Sequence, residues 1–159
     1  MDTVKSSGGA TSVAIFGDKI ILLAIGIGAV ASVILGFQFI DSGLAIGATL
    51  ALVLLAGLVY VAAKGTAVTQ YVLTFVLVSL VALHIQLARG MIEFHFGVFV
   101  TLALLLVYRD WRIIVFGAGL YAVHHVLFDR LQAAGFGLYC LTEPDFARVM
   151  LHAVYVVVQ

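Results

Sequence analysis

Long apolar runs, separated by short breaks of charged residues and glycine, constrain this chain more than any other sequence feature. Each run is close to the roughly 20 residues that an α-helix needs to cross the hydrocarbon core of a bilayer. Of the 159 residues, 64% are hydrophobic and 10% are charged, too few charges to cover a water-soluble globule. The pattern predicts an all-α membrane protein and argues against soluble and disordered chains. The runs are continuous rather than alternating, which also argues against membrane β-strands.

The breaks divide the chain into a tail and six predicted transmembrane helices. Residues 1–19 form a predicted cytoplasmic tail, and residues 20–159 one membrane domain. The spans are residues 20–40, 43–63, 66–88, 91–108, 113–132 and 146–159, with a loop at 133–145. The sixth span gives about 21 Å of helix, short of the roughly 30 Å hydrocarbon core. We therefore expect this helix, and the protein, to continue beyond Gln159.

The distribution of lysine and arginine predicts the orientation of the spans in the bilayer. With the N-terminus inside, the inner face holds Lys5, Lys19, Lys64, Arg109 and Arg112, and the outer face holds Arg89, Arg130 and Arg148. Both ends are then cytoplasmic. Basic and acidic residues balance at eight each, so no basic field points to nucleic acid.

The first two spans differ from the last four. Small residues recur at four-residue spacing in the first two, which is typical of helices that pack closely in membranes. These residues are Ala24, Gly28, Ser32 and Gly36 in one span and Gly43, Gly47 and Ala51 in the next. All five histidines lie in spans three to six, which we interpret as a histidine-bearing four-helix bundle beside two packing helices.

The five histidines share one predicted depth. They are His84, His95, His124, His125 and His152. Counted from the outer ends of their helices, all five lie roughly 8–12 Å deep, and Glu93 lies slightly shallower. Ionisable groups in a membrane are costly and by default indicate function. The layer predicts a metal site, with His84, His95, His125 and His152 as the leading ligands and His124 and Glu93 next.

Two kinds of cofactor fit this layer. Imidazole and carboxylate ligands suit copper, iron or zinc, as one ion or a dinuclear site. A bis-histidine haem b is the alternative, with Arg89, Arg130 and Arg148 placed to meet its propionates. Gln86, Tyr121, Asp129 and Tyr155 are candidates to orient the imidazoles. The lone Cys140 and the lack of a cysteine or methionine cluster argue against a soft Cu(I) trafficking site.

Short motifs accompany the histidines. They are His84-Ile85-Gln86, Gly90, Glu93-Phe94-His95-Phe96, Tyr108-Arg109-Asp110-Trp111-Arg112, His124-His125 with Phe128, and His152-Ala153. With them, residues 83–159 resemble the N-terminal six-helix membrane sensor region of certain bacterial methyl-accepting chemotaxis proteins and some diguanylate cyclases. The resemblance implies the bacterial inner membrane, a homodimer, sensing rather than catalysis, and a last helix that leads into a cytoplasmic signalling region.

The sequence thus favours a membrane sensor module whose metal or haem state biases the packing of spans three to six. A membrane metal oxidase or hydroxylase on the same residues is an alternative. A transporter is disfavoured because spans four and five are almost wholly apolar on the inner side of His95 and His124.

Overall fold

The computed structural model describes the backbone of residues 3–39 and 41–158, and the side chains of residues 12–39 and 41–158. Within these ranges the chain is helical, without strands. The helices are α1 (Thr3–Gln38), α2 (Ser42–Ala63), α3 (Ala67–Leu87), α4 (Phe96–Leu105), α5 (Trp111–Ala133) and α6 (Phe146–Val158). Short 3-10 turns at Ile92–His95 and Leu106–Tyr108 extend α4 at both ends.

Four helical segments are long and apolar enough to cross a membrane. They are Ser12–Gln38, Ser42–Ala63, Ala67–Leu87 and Trp111–Ala133. The predicted all-α class is confirmed, and these four helices are compatible with a membrane protein. The segments Ile92–Tyr108 and Phe146–Val158 are shorter, so a count of six spans stays a prediction. Helix α1 begins at Thr3, well before residue 20, where the sequence pattern places the first span.

The ends of the helices follow from local chemistry. Thr66 caps α3 by accepting a hydrogen bond from the Thr69 amide, and Asp110 caps α5 by accepting one from the Arg112 amide. Helix α3 ends where Arg89 and Gly90 both adopt left-handed backbone conformations, with φ of 52° and 76°. This turn reverses the chain into α4.

Helix α3 is the centre of the bundle. It packs against α1 and α2 on one side and against α4 and α5 on the other, while α6 packs on α5. Leu73, Leu80 and Ile85 of α3 are fully buried, as expected of a helix that is apolar around its whole circumference. Of the predicted small-residue faces, Gly36 allows close approach to Ala45, whereas Gly43 and Gly47 face open space.

A buried carboxylate joins three segments at one end of the bundle. Asp18 of α1 has no exposed surface. One of its oxygens accepts a 2.7 Å hydrogen bond from the Gly65 amide, and the other accepts a 3.1 Å bond from the Tyr108 hydroxyl. The sequence pattern assigns Asp18 to the tail and does not indicate this contact. It ties the turn between α2 and α3, and the end of the α4 segment, to α1.

We expect Asp18→Ala to destabilise the protein by about 3 kcal/mol, because two buried donors lose their acceptor. Tyr108→Phe removes only one of these bonds and is expected to cost about 1 kcal/mol. Denaturant unfolding in mixed micelles measures both values. Equal losses in the two variants would contradict the role of the carboxylate as a double acceptor.

Candidate metal centre

Three side chains that can bind a metal meet at the other end of the bundle. His95 lies in the turn before α4, His125 on α5, and Cys140 in the loop at 134–145. One ligand atom of each lies within 4.8 Å of the other two, and all three residues are buried. In a zinc site these atoms would stand roughly 3.5 Å apart, given metal–nitrogen and metal–sulfur bonds of about 2.0 and 2.3 Å. Small side-chain rotations would therefore close the site around one ion.

Backbone carbonyls orient the imidazoles in this region. The Nδ1 atoms of His95, His125 and His152 lie 3.2, 2.9 and 2.8 Å from the carbonyl oxygen four residues earlier. A carbonyl can only accept, so each Nδ1 carries the proton and each Nε2 keeps its lone pair. This is how metal-binding histidines are usually held. The Nε2 of His95 is buried without a hydrogen-bond partner, which leaves a ligand position to be filled.

His152 brings α6 to the edge of the same cluster. Its ring centroid lies 5.3 Å from that of His95 and 6.1 Å from that of His125, and the latter two are 5.5 Å apart. Rings bound to one tetrahedral metal would have centroids about 5 Å apart, given the bond lengths of zinc sites. His152 is partly buried and lies outside the group of three, but its ring contacts those of His95 and His125.

The loop that carries Cys140 is held by Gln132, a residue that sequence analysis did not single out. The Gln132 side-chain oxygen accepts bonds from the amides of Cys140 and Leu141, at 2.8 and 3.3 Å. Its amide nitrogen donates to the Leu141 carbonyl at 2.7 Å. Three hydrogen bonds from one side chain therefore fix the backbone on either side of the thiol.

We expect Gln132→Leu to lower metal affinity about 10-fold to 100-fold, as loss of a ligand-supporting group typically does. The protein should still fold, because Gln132 lies at the end of α5 and not in the helix core. Metal titration of the purified variant measures the change. Wild-type affinity in this variant would show that the loop keeps its position without these bonds.

Two further contacts hold this loop. The Gln86 side chain donates to the Gly137 carbonyl and accepts from the Tyr139 amide at 2.8 Å. Gly90 lies so close to the Leu141 backbone that a Cβ atom there would overlap it. The end of α3 therefore helps to place Cys140. Gln86 was predicted to orient an imidazole, but its side chain binds the backbone of the loop instead.

The structure does not bring two of the predicted ligands to the cluster. The Nε2 atom of His84 lies 2.9 Å from the Gly28 carbonyl of α1, so this imidazole joins α3 to α1. Glu93 is exposed and is not part of the metal-capable group. Their predicted depth is close to that of the cluster, but His84 contacts α1 and Glu93 is exposed.

His124 adjoins the cluster through its neighbour in the chain. Its ring lies 5.2 Å from that of His125 and 4.3 Å from that of Phe128. Its Nε2 atom is buried without a hydrogen-bond partner. His124 is adjacent to His125 in α5 but is not part of the metal-capable group.

The remaining predicted residues have other contacts. Asp129 is buried and accepts a 3.0 Å bond from the Asp145 amide, which holds the start of α6. Tyr121 contributes the carbonyl that orients His125, whereas Tyr155 is exposed. The three outer arginines are exposed: Arg130 covers the Phe146 ring at 4.2 Å, and Arg148 pairs with Asp145 at 3.0 Å.

Cys140 is the main site residue that sequence analysis set aside. Burial, and to a smaller extent the nearby Asp129 carboxylate, raise the pKa of its thiol to about 12. The free thiol is therefore protonated at neutral pH, and a metal must displace its proton to bind the sulfur. The signal that could have identified it is its place in a loop at the same end of the bundle as the histidines.

No family model matches this sequence, and neither a curated protein nor a solved structure resembles the chain.

Proposed function

We propose that this chain is a membrane-embedded sensor module that binds one transition-metal ion through His95, His125 and Cys140. The observation that carries the proposal is the buried group of three ligand atoms, taken from three separate segments and lying within 4.8 Å of one another. Burying such groups without a partner is costly. A bound ion would supply the missing partner.

The ligand types favour zinc or copper over iron. Imidazole and thiolate are good ligands for both ions, whereas di-iron sites in helix bundles rely on carboxylates. Glu93 is exposed, and the Asp129 carboxylate is engaged at the start of α6. Among the described residues a single metal-capable group is found, which supports one ion rather than two.

The spacing of the rings disfavours a haem. His125 and His152 are 6.1 Å apart, and His95 lies 5.3 and 5.5 Å from these two rings. A porphyrin between His125 and His152 would need the space that the His95 ring occupies. The bare-metal interpretation requires no such displacement.

The position of His152 supports a sensing role. Helix α6 packs on α5 and reaches the metal centre through this imidazole and through Val149, which packs against Cys140. Binding of His152 as a fourth ligand would stabilise one placement of α6, and its release would favour another. This couples the metal to the last helix, which the family resemblance would connect to a signalling region.

The proposal is tested with purified protein in lipid nanodiscs. We expect one Zn²⁺ or Cu²⁺ per chain, no haem absorption, and slower amide hydrogen exchange at residues 146–152 when the metal is bound. His152→Ala should keep the metal but lose the protection of α6. Protein that binds no metal, or whose α6 exchange is unaffected by metal, would contradict the proposal.

A membrane metal oxidase is the second candidate, because an apolar cavity of about 500 Å³ lies beside His95, His125 and His152. Turnover of an apolar substrate with oxygen and a reductant would distinguish this enzyme from a sensor.

A further inference from the structure

The cavity lies between α4, α5 and α6 and touches the metal centre from one side. Its volume of about 500 Å³ is in the range of small-molecule sites. His95, His125 and His152 form one part of its wall, and Cys140 does not line it. The thiol therefore lies behind the imidazoles, and a molecule in the cavity would approach the metal centre from the face of His152.

The cavity opens to the lipid-facing surface. Val115 and Val126 of α5 and Met150 and Val157 of α6 line it and are also exposed, by 57%, 44%, 49% and 85%. These side chains would face acyl chains in a bilayer. A ligand could therefore enter from the lipid phase without crossing water.

The lining sets the chemistry of the occupant. Apart from the three imidazoles and the Tyr121 side chain, the lining is apolar, and no lysine, arginine or carboxylate contributes to it. A carboxylate or phosphate would meet no fixed counter-charge from the walls. The aromatic rings of Phe99 and Tyr121 also line the cavity, and rings of this kind pack favourably against another aromatic ring.

The His152 imidazole specifies the polar end of the occupant. Because its Nδ1 faces the Arg148 carbonyl, its Nε2 atom can accept a hydrogen bond but not donate one in the neutral ring when it is not bound to the metal. A hydroxyl can donate to such an atom, and its oxygen can also occupy the open position of a metal. An ether or a ketone cannot donate in this way.

We propose that this cavity binds a lipid-phase molecule with an apolar body and an aromatic hydroxyl head, of the long-chain phenol or quinol class. The inference rests on the proposed function in one respect: the head and His152 compete for the same position at the metal. Binding of the phenol would release His152 and change the placement of α6. The molecule would then be the signal that the module detects.

Binding of 4-decylphenol to the metal-loaded protein in nanodiscs tests this proposal. We expect saturable binding with one site per chain, and at least about tenfold weaker binding of its methyl ether, which has lost the donor. Gly119 lines the cavity, and a Cβ there meets nothing within 4 Å. The Cβ of Gly119→Leu therefore has room, and we expect the rest of its side chain to occupy part of the cavity and lower phenol affinity at least about tenfold.

Gly57→Leu is the matched control, because Gly57 on α2 also faces open space and lies away from the cavity. It should bind the phenol as the wild type does. Equal binding of phenol and methyl ether, or equal phenol affinity in the two leucine variants, would overturn the proposal. Metal content is measured on the same samples: phenol binding that depends on Gly119 in a protein without metal would support the cavity site while contradicting the metal proposal.

Discussion

Replacing Cys140 by Ala is expected to lower the affinity for Zn²⁺ or Cu²⁺ by at least about 100-fold, because loss of one of three ligands should cost more than the roughly 10-fold to 100-fold effect of losing a group that only supports a ligand. The fold should survive, because the thiol packs in a small peripheral cluster with Leu141 and Val149. His95→Ala and His125→Ala should cause losses of the same order. Equilibrium titration of the metal-free protein against a chelator of known affinity measures each value.

His84→Ala is the control for this series. Its imidazole is comparable in depth to the cluster, but it contacts the Gly28 carbonyl of α1. We expect unchanged metal affinity with a stability loss of about 1 kcal/mol from the lost hydrogen bond. Loss of metal in His84→Ala together with full retention in Cys140→Ala would contradict the assigned ligand set.

Gly90→Ala is expected to destabilise the protein by about 2–4 kcal/mol, the size typical of a backbone clash combined with unfavourable φ. Gly90 has a φ of 76°, and a Cβ atom there would overlap the Leu141 backbone. The loop would have to move away from α3, and Cys140 would move with it. Metal affinity should therefore fall in the same variant.

Gly135→Ala separates the effect of an unfavourable φ from the effect of a clash with the backbone. Gly135 also has a positive φ, of 82°, but a Cβ there meets nothing within 4 Å. We expect a cost of about 1 kcal/mol from conformation alone, with metal affinity unchanged. Thermal unfolding and metal titration of the two variants measure the difference. Identical results would mean that the contact between Gly90 and Leu141 does not place the loop.

The helical membrane class could be predicted from the sequence because it depends on run length and hydropathy alone. Four of the predicted spans correspond to helices of sufficient length. The start of α1 could not be predicted in the same way, since Asp18 reads as a tail residue. Its carboxylate can be buried because it accepts hydrogen bonds from the Gly65 amide and the Tyr108 hydroxyl. Only the tertiary structure brings these three residues together.

The depth of the histidines could be predicted from the sequence, but the direction in which each side chain points could not. Counting along each helix places the histidines at one level, and His95, His125 and His152 do meet. The rotation of each helix about its axis decides which neighbour a side chain faces. Counting residues from the end of a helix gives depth but not this rotation. His84 accordingly faces α1 rather than the site. Cys140 was missed because the path of the 134–145 loop depends on its contacts with Gln132 and Gly90.

X-ray absorption spectroscopy at the metal edge of the loaded protein identifies the ligand atoms of the proposed centre. We expect one sulfur ligand at about 2.3 Å and two or three imidazole nitrogens at about 2.0 Å. The sulfur signal should disappear in Cys140→Ala. A shell without sulfur in the wild-type protein, or one made only of oxygen ligands, would contradict a centre built from His95, His125 and Cys140.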